Sequence, residues 1–499
     1  MPRHLLSIDQ GTTGSTVLLV GEDTRVLARA GVEFPQHFPE PGWVEHDPEE
    51  IWQSVLQALR TAYAHSGLDP KDCAGIGITN QRETTVVWER ASGAPIHRAI
   101  VWQDRRTAPR CRELEQKGHL ALVRERTGLV LDAYFSGTKI AWILDHTEGA
   151  RARAERGELA FGTIDSFLVW RLSGGAAHVT DSSNASRTLL FDLHRLAWDD
   201  TLCQLIGVPR SVLPEVKGAS EVYATTAGVP GLPDEIPIAG IAGDQQAALF
   251  GQTCFRPGEA KCTYGTGAFL LVTTGERAVP SRNGCLTTVA WTLNGTTSYA
   301  LEGSSFIAGA AVQWLRDGLG IIARSSDVEA LARKVDSTGG VHFVPALSGL
   351  GAPHWDPDAR GTISGLTRGS TAAHLARATL EGVAFSVADL ARAMEADMGE
   401  RIGRLRVDGG AAANDLLMQF QSDVLEVPID RPENVETTAL GAAYLAGLAV
   451  GVFADLDAVK RAHRVARAFA PEMEPAERKR RLAGWQDAVR RSRGADALP

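Results

Sequence analysis

The chain has 499 residues, enough for two or three domains with separate cores, and its 44% apolar and 22% charged content is that of an ordinary globular protein. A net charge of −9 leaves no electrostatic footprint for a nucleic-acid partner. The six cysteines (Cys73, Cys111, Cys203, Cys254, Cys262, Cys285) form no Cys-x-x-Cys pair and the first residues show no charged-then-apolar leader, so reduced thiols and a cytoplasmic protein are expected rather than a disulfide framework or a zinc site.

In chain order, Leu5 to Val20 reads as a buried strand, a tight Gly/Thr/Ser turn and a second strand. Gly11 and Gly14 let the backbone bend with its N–H groups turned inward, a concavity that binds anions. Thr12, Thr13, Ser15 and Thr16 add hydroxyl donors, and Asp9 is the carboxylate of the turn, placed to hold the Mg²⁺ that accompanies a nucleoside triphosphate. A plain hairpin fits the same pattern. Lys261 to Val272, however, repeats strand, Gly/Thr turn and strand around Thr266, which points to a duplicated fold with a phosphate clamped between two homologous lobes.

After a Pro- and aromatic-rich loop, Asp47-Pro48-Glu49-Glu50 opens a helix. Gly75 to Thr79 predicts a buried strand that ends at Asn80-Gln81-Arg82-Glu83, with a further strand over Thr84 to Trp88. Ligands of open α/β sheets sit beyond the carboxyl ends of strands, which makes Arg82 and Glu83 candidates. The plain alternative is an exposed ion pair in a loop. Trp102, among polar neighbours, is either a core residue or a wall against a small polyol. Tyr134 to His146 runs from a loop into an amphipathic helix, and its Ser136/Lys139 match to an acyl-enzyme S-x-x-K lacks the companion motifs.

Ile236 to Phe250 reads as a strand ending at Gly243 and a helix beginning at Asp244, where a carboxylate is stabilised as an anion. Asp244 is a helix cap, a general base, or both. Gly361 to Leu366 leads into a helix over His374 to Met394, whose Leu380, Val383, Val387, Leu390 and Met394 form one stripe. Leu405 to Ala411 reads as strand, Gly turn and helix start, with Asn414 and Asp415 in the first turn, and Gly409-Gly410 would let a nucleotide lie against the backbone. Ala439 to Phe453 is apolar but too short to span a bilayer, so a buried, close-packed helix is expected. The basic run from Arg478 to Arg481 is interleaved downstream with Leu482, Trp485 and Val489 at helical spacing, the pattern of a helix with one solvated face.

Together these stretches resemble the FGGY family of carbohydrate kinases over nearly the whole chain, and within it the members that phosphorylate glycerol. Tyr134–His146 and Gly361–Glu381 match the two family signatures. Asp9-Gln10-Gly11-Thr12-Thr13, Asn80 to Thr84, Tyr134 to Lys139, Gly243 to Leu249 and Asp408-Gly409-Gly410 carry the glycerol-specific likeness. The resemblance implies an α/β, two-lobed actin/hexokinase-like ATPase fold with ribonuclease-H-like cores, residues 1–252 in one lobe and 253–499 in the other, and ATP-Mg²⁺ in the cleft. It further implies that Arg82, Glu83, Tyr134, Asp244 and Gln245 hold the hydroxyls of glycerol, with Trp102 and Phe269 against its carbons and Asp244 as base. Asp9 would hold the metal, and Thr12, Thr13, Gly14, Thr16, Thr266, Gly309, Gln313, Gly410 and Asn414 would contact the nucleotide. A homodimer or homotetramer is expected. Gly14-Ser15-Thr16 departs from the family's usual Ser-Ser-Arg, so the phosphate contact of that Arg has no counterpart at Thr16. Kinases of pentuloses, gluconate or erythritol, and an actin-like scaffold without transfer chemistry, are the alternatives.

Overall fold

The structure is a computed structural model that describes residues 3–493. Strands β1 (His4–Gln10), β2 (Gly14–Gly21) and β3 (Val26–Glu33) form an antiparallel meander. β4 (Cys73–Asn80) pairs parallel with β1, β6 (Pro237–Gly243) pairs parallel with β4, and β5 (Ser220–Thr225) closes that edge antiparallel. The order is β5-β6-β4-β1-β2-β3. The central strands read as nearly continuous apolar runs because helices cover both faces of the sheet. Helix α1 (Pro48–Ser66) covers one, packing Ile51, Val55 and Leu59 against Ile8, Val17 and Leu19. Asp47 caps it by accepting from Glu49 N–H, Pro48 occupies a first-turn position, and Gly67 ends it in the left-handed region. Helix α2 (Ser136–His146) packs Ile140, Ile143 and Leu144 into an apolar cluster apart from that of the first sheet, and α3 (Asp244–Gly251) leaves the end of β6 directly.

The second sheet repeats the first. β7 (Glu259–Tyr264), β8 (Ala268–Gly275) and β10 (Thr296–Ser305) are the counterpart meander, with β9 (Leu286–Leu293) added outside β10. β11 (Arg404–Asp408) runs parallel to β7, β12 (Ile429–Pro432) parallel to β11, and β13 (Val465–Phe469) antiparallel at the edge. The order β9-β10-β8-β7-β11-β12-β13 thus places parallel neighbours where the first sheet has them, the duplication that the two Gly/Thr turns announce. Helices α4 (Gly309–Asp317), α5 (Ala372–Met398) and α6 (Asp415–Leu425) accompany this sheet.

Helix α7 (Thr437–Ala449), the short apolar run, is almost wholly buried. It lies across β1, β4 and β6 of the first sheet and beside α3, although it follows the second sheet in sequence. A helix apolar all round has no face to give to water, so it is used up between layers. Small residues set its approach: a Cβ on Gly441 would stand 1.9 Å from Ala247 O, and one on Gly77 2.1 Å from Ala442 O. Helix α8 (Pro475–Ser492) buries Trp485, stacked on Phe385 at 5.2 Å between centroids, and exposes its arginines.

Several element boundaries differ from expectation, among them the helix expected over Ala439–Phe453, which spans Thr437–Ala449, and the helix start expected near Ala411, which comes at Asp415 after a 3-10 turn. The strand expected over Thr84–Trp88 begins only at Val86, because Glu83 takes φ = +60° and Thr84 N–H turns back onto Arg82 O. The helix expected from His374 to Met394 spans Ala372–Met398, started by a Thr371/His374 capping box and stopped by left-handed Gly399. Among the described residues no helix is long and apolar enough to cross a membrane, and all six cysteines are buried free thiols.

Candidate active site

Strand register puts the first group of residues together. Asp9 stands opposite Thr79, and Asn80 is flanked by Gln10 on one side and Gly243 on the other. The carboxyl ends of β1, β4 and β6 therefore lie side by side, and Asp9, Arg82-Glu83 and Asp244 emerge from one edge. Ser7, two residues before Asp9, donates to Ala439 O, so Asp9 points to the face that α7 covers.

Arg82 and Glu83 are not an exposed pair. Both are buried, at 3% and 1% exposure. Arg82 is the hub of an ion cluster: Nε meets Asp244 Oδ1 at 3.1 Å, Nη1 and Nη2 donate to the two oxygens of Glu302 at 2.5 and 3.0 Å, and Nη2 reaches Tyr134 Oη at 3.4 Å. Glu83 accepts from Arg187 Nε at 2.7 Å, and Arg187 Nη2 donates to Glu302 Oε1 at 3.0 Å. Burial pushes the Glu302 carboxyl up, but the Arg187 and Arg82 guanidiniums outweigh it and hold it at about 2. Glu83 shares the same cations and lies near Glu302, and burial leaves its carboxyl above the usual range. The positive φ of Glu83 is a strained backbone for a non-glycine residue, and such strain collects at functional sites.

Glu302, Arg187 and Lys261 escape the sequence reading, and the second sheet explains two of them. Lys261 pairs with Leu271 and Thr263 with Phe269 across β7–β8, while Leu271 pairs with Glu302 and Phe269 with Ser304 across β8–β10. Lys261, Thr263, Phe269 and Glu302 thus share one face. Lys261 Nζ donates to Gln245 Oε1 and, at 2.8 Å, to Thr263 Oγ1. The available signal is a single charge amid apolar strand residues, Ala260-Lys261-Cys262 and Leu301-Glu302-Gly303, since such a charge is buried only with a partner.

The aromatic wall is partly assembled. Trp102 meets Tyr134 edge-on with centroids 5.7 Å apart, and its Nε1 donates to Thr12 Oγ1 at 2.9 Å. That bond joins the Trp102–Tyr134 pair to the first Gly/Thr turn. Phe269 is half-buried on the facing sheet and makes no ring contact with Trp102 among the described residues.

Each Gly/Thr turn is closed by a backbone bond of 2.9 Å, Gly11 N–H to Gly14 O in the first and Gly265 N–H to Gly267 O in the second, which is one residue tighter. Thr13 is exposed at the first turn, where a Cβ on Gly14 would meet Val32 O at 2.9 Å; Thr16 lies on β2 directly across from Asp9. Thr266 is exposed at the second turn, and its carbonyl accepts from Ala308 and Ala310 at the start of α4. Gly309 N–H is already bonded to Gly265 O, and Gln313 lies exposed one turn on. Gly410 is exposed with open space where a Cβ would stand, whereas Asn414 spends its Oδ1 capping α6 through Leu417 N–H.

The residues around Asp9 fit a divalent cation. Burial, then repulsion from Asp244 and Glu436, pushes the Asp9 carboxyl up to about 8 against the pull of Arg29, so negative charge there is poorly compensated. Among the described residues no cluster of three or more His, Cys, Asp or Glu could hold a metal ion alone. Asp9 would therefore hold a divalent cation only together with ligands from outside the protein.

Models of the FGGY carbohydrate kinases match residues 4–251 with the family's N-terminal domain and 260–450 with its C-terminal domain. The chain belongs to this family, and its fold is the two-lobed α/β architecture of actin- and hexokinase-like ATPases. It is 58% identical to glycerol kinase from Myxococcus xanthus over 98% of this chain and 99% of that one, and 57% identical to glycerol kinase from Geobacillus kaustophilus with the same coverage. Among solved structures, Plasmodium falciparum glycerol kinase with ADP superposes with a TM-score of 0.92 at 37% identity, covering 98% of each chain.

Proposed function

We propose that this protein transfers the γ-phosphoryl group of ATP to a terminal hydroxyl of glycerol, giving sn-glycerol 3-phosphate and ADP. The observation that carries the reading is the meeting of Arg82, Asp244, Tyr134 and Trp102 at adjacent strand ends, with Trp102 bonded to the first phosphate turn. Its close likeness to glycerol kinases over their whole length supports the same substrate. Asp244 accepts the proton of the attacking hydroxyl while the new oxygen–phosphorus bond forms and the bond to the β-phosphate oxygen breaks. Arg82 Nε orients that carboxylate, and Gln245, fixed by Lys261, stands beside it. Phosphoryl transfer asks little covalent work of the protein, so placement supplies most of the catalysis. Asp9 is the residue placed to hold Mg²⁺, which when bound neutralises phosphate charge. Thr12, Thr13, Gly14, Thr266, Gln313 and Gly410 form the nucleotide side, with Gly309 and Asn414 serving chiefly to shape it. We place the enzyme in the cytoplasm as a homodimer or homotetramer of chains with lobes 1–252 and 253–499, the first of which is covered by α7 from the second stretch.

A coupled ADP-release assay over glycerol, erythritol, a pentulose and gluconate tests the reading. Glycerol is expected to give the highest kcat/KM, because larger substrates meet the Trp102–Tyr134 wall. A pentulose preferred to glycerol, or ATP hydrolysis indifferent to every polyol, overturns it. Because ligand groups come from both lobes, closure on substrates is also expected. Small-angle scattering should show a smaller radius of gyration with glycerol plus a non-hydrolysable ATP analogue than with neither; an unchanged radius contradicts closure.

A further inference from the structure

Glu302 is the carboxylate that joins the two halves of the cluster. It stands on β10 of the second sheet at 1% exposure, yet its partners, Arg82 and Arg187, come from the first half of the chain. Oε1 accepts from both arginines at 3.0 Å and Oε2 from Arg82 Nη1 at 2.5 Å. Arg187 in turn grips Glu83, and Arg82 grips Asp244. One side chain of the opposite lobe therefore holds both arginines, and through them reaches Glu83 and Asp244. A buried ion cluster is a weak source of stability, because desolvation offsets much of its attraction. Arg187 Nη1 is buried with no hydrogen-bond partner among the described residues, so this cluster is not fully satisfied by the protein either. Its geometry serves position instead.

We propose that Glu302 is a positioning residue for the polyol, holding Arg82 directly and Glu83 through Arg187, so that the glycerol half of the site exists only while β10 is seated against the first lobe. The inference rests on the glycerol kinase reading. It also makes this end of the cleft the fixed end, with opening confined to the nucleotide side. Gly243 fits the same picture, since a Cβ there would press on Arg82 Cγ and Cδ at 2.7 Å.

The test is Glu302→Gln, which keeps shape and one acceptor but loses the charge that both arginines share, with Glu302→Asp as a shorter, still charged companion. Steady-state kinetics, calorimetric titration of glycerol and of an ATP analogue, and thermal melting are read together. For Glu302→Gln the KM and Kd for glycerol are expected to rise about 10–100-fold, as for loss of a charged hydrogen-bond network, while nucleotide Kd moves less than about threefold. Glu302→Asp should restore part of the glycerol affinity. Should Glu302→Gln fail to melt cooperatively, Glu302→Asp alone decides, with an expected rise of at least about fivefold for glycerol against an unmoved nucleotide Kd. Glycerol constants within about twofold of wild type in a folded variant overturn the proposal, as does equal weakening of glycerol and nucleotide, the mark of general damage. Wild-type protein that ignores glycerol sinks the functional reading instead, a result distinct from either.

Discussion

Asp244→Asn is expected to lower turnover on glycerol by about 10²–10⁴-fold, the range for loss of a general base. The replacement keeps the side-chain shape and a polar oxygen facing Arg82 Nε, and Arg82 keeps its hydrogen bonds to Glu302 and Tyr134, so the cluster around it should stand. What it removes is the negative charge and the affinity for the hydroxyl proton. Because a loose transition state surrenders that proton late, the carboxylate orients the nucleophile as much as it activates it. Nucleotide affinity should stay near wild type, since the turn contacts lie elsewhere, and glycerol should bind with modest weakening. Single-turnover rates with calorimetric binding data check all three quantities. A variant retaining more than about a tenth of wild-type turnover removes Asp244 from the role. Attention then moves to Glu83, the other polyol-side carboxylate, whose proton affinity is already raised.

Gly441→Ala is expected to cost the fold about 3 kcal/mol or more, the upper range for overpacking, because its added carbon would fall 1.9 Å from Ala247 O, a backbone atom that cannot swing aside. Either α7 or α3 must shift, and α3 carries Asp244 and Gln245. The apparent melting temperature at a fixed scan rate should fall by about 5–10 °C, with activity at lower temperature reduced as well. An unchanged melting temperature contradicts the helix crossing described above.

The duplicated architecture is legible in the chain because each lobe opens with a strand, a Gly/Thr turn and a strand, and because period-2 and continuous apolar runs mark the central strands. Asp9, Arg82 and Asp244 can be placed at strand ends from local patterns, since Gly and polar residues follow each apolar run directly. What a linear reading cannot supply is register across the sheets. Glu302 lies 220 residues from Arg82, and Lys261 joins Gln245 only after β7 is aligned behind α3. The strand expected at Thr84 starts late for the same reason: the turn at Glu83 is paid for by contacts to Ser136 and Arg187 that no local propensity encodes.

Helix α7 has a consequence for how the chain is made. The first sheet is complete in sequence by Gly243, but the helix that covers β1, β4 and β6 ends at Ala449. While about two hundred further residues emerge from the ribosome, at roughly 5–20 residues per second, that apolar face waits uncovered for tens of seconds. The nascent first half is therefore expected to need shielding of that face, and expressed alone it should collect in the insoluble fraction. A second polypeptide that carries residues 253–493 would bring the missing cover in trans.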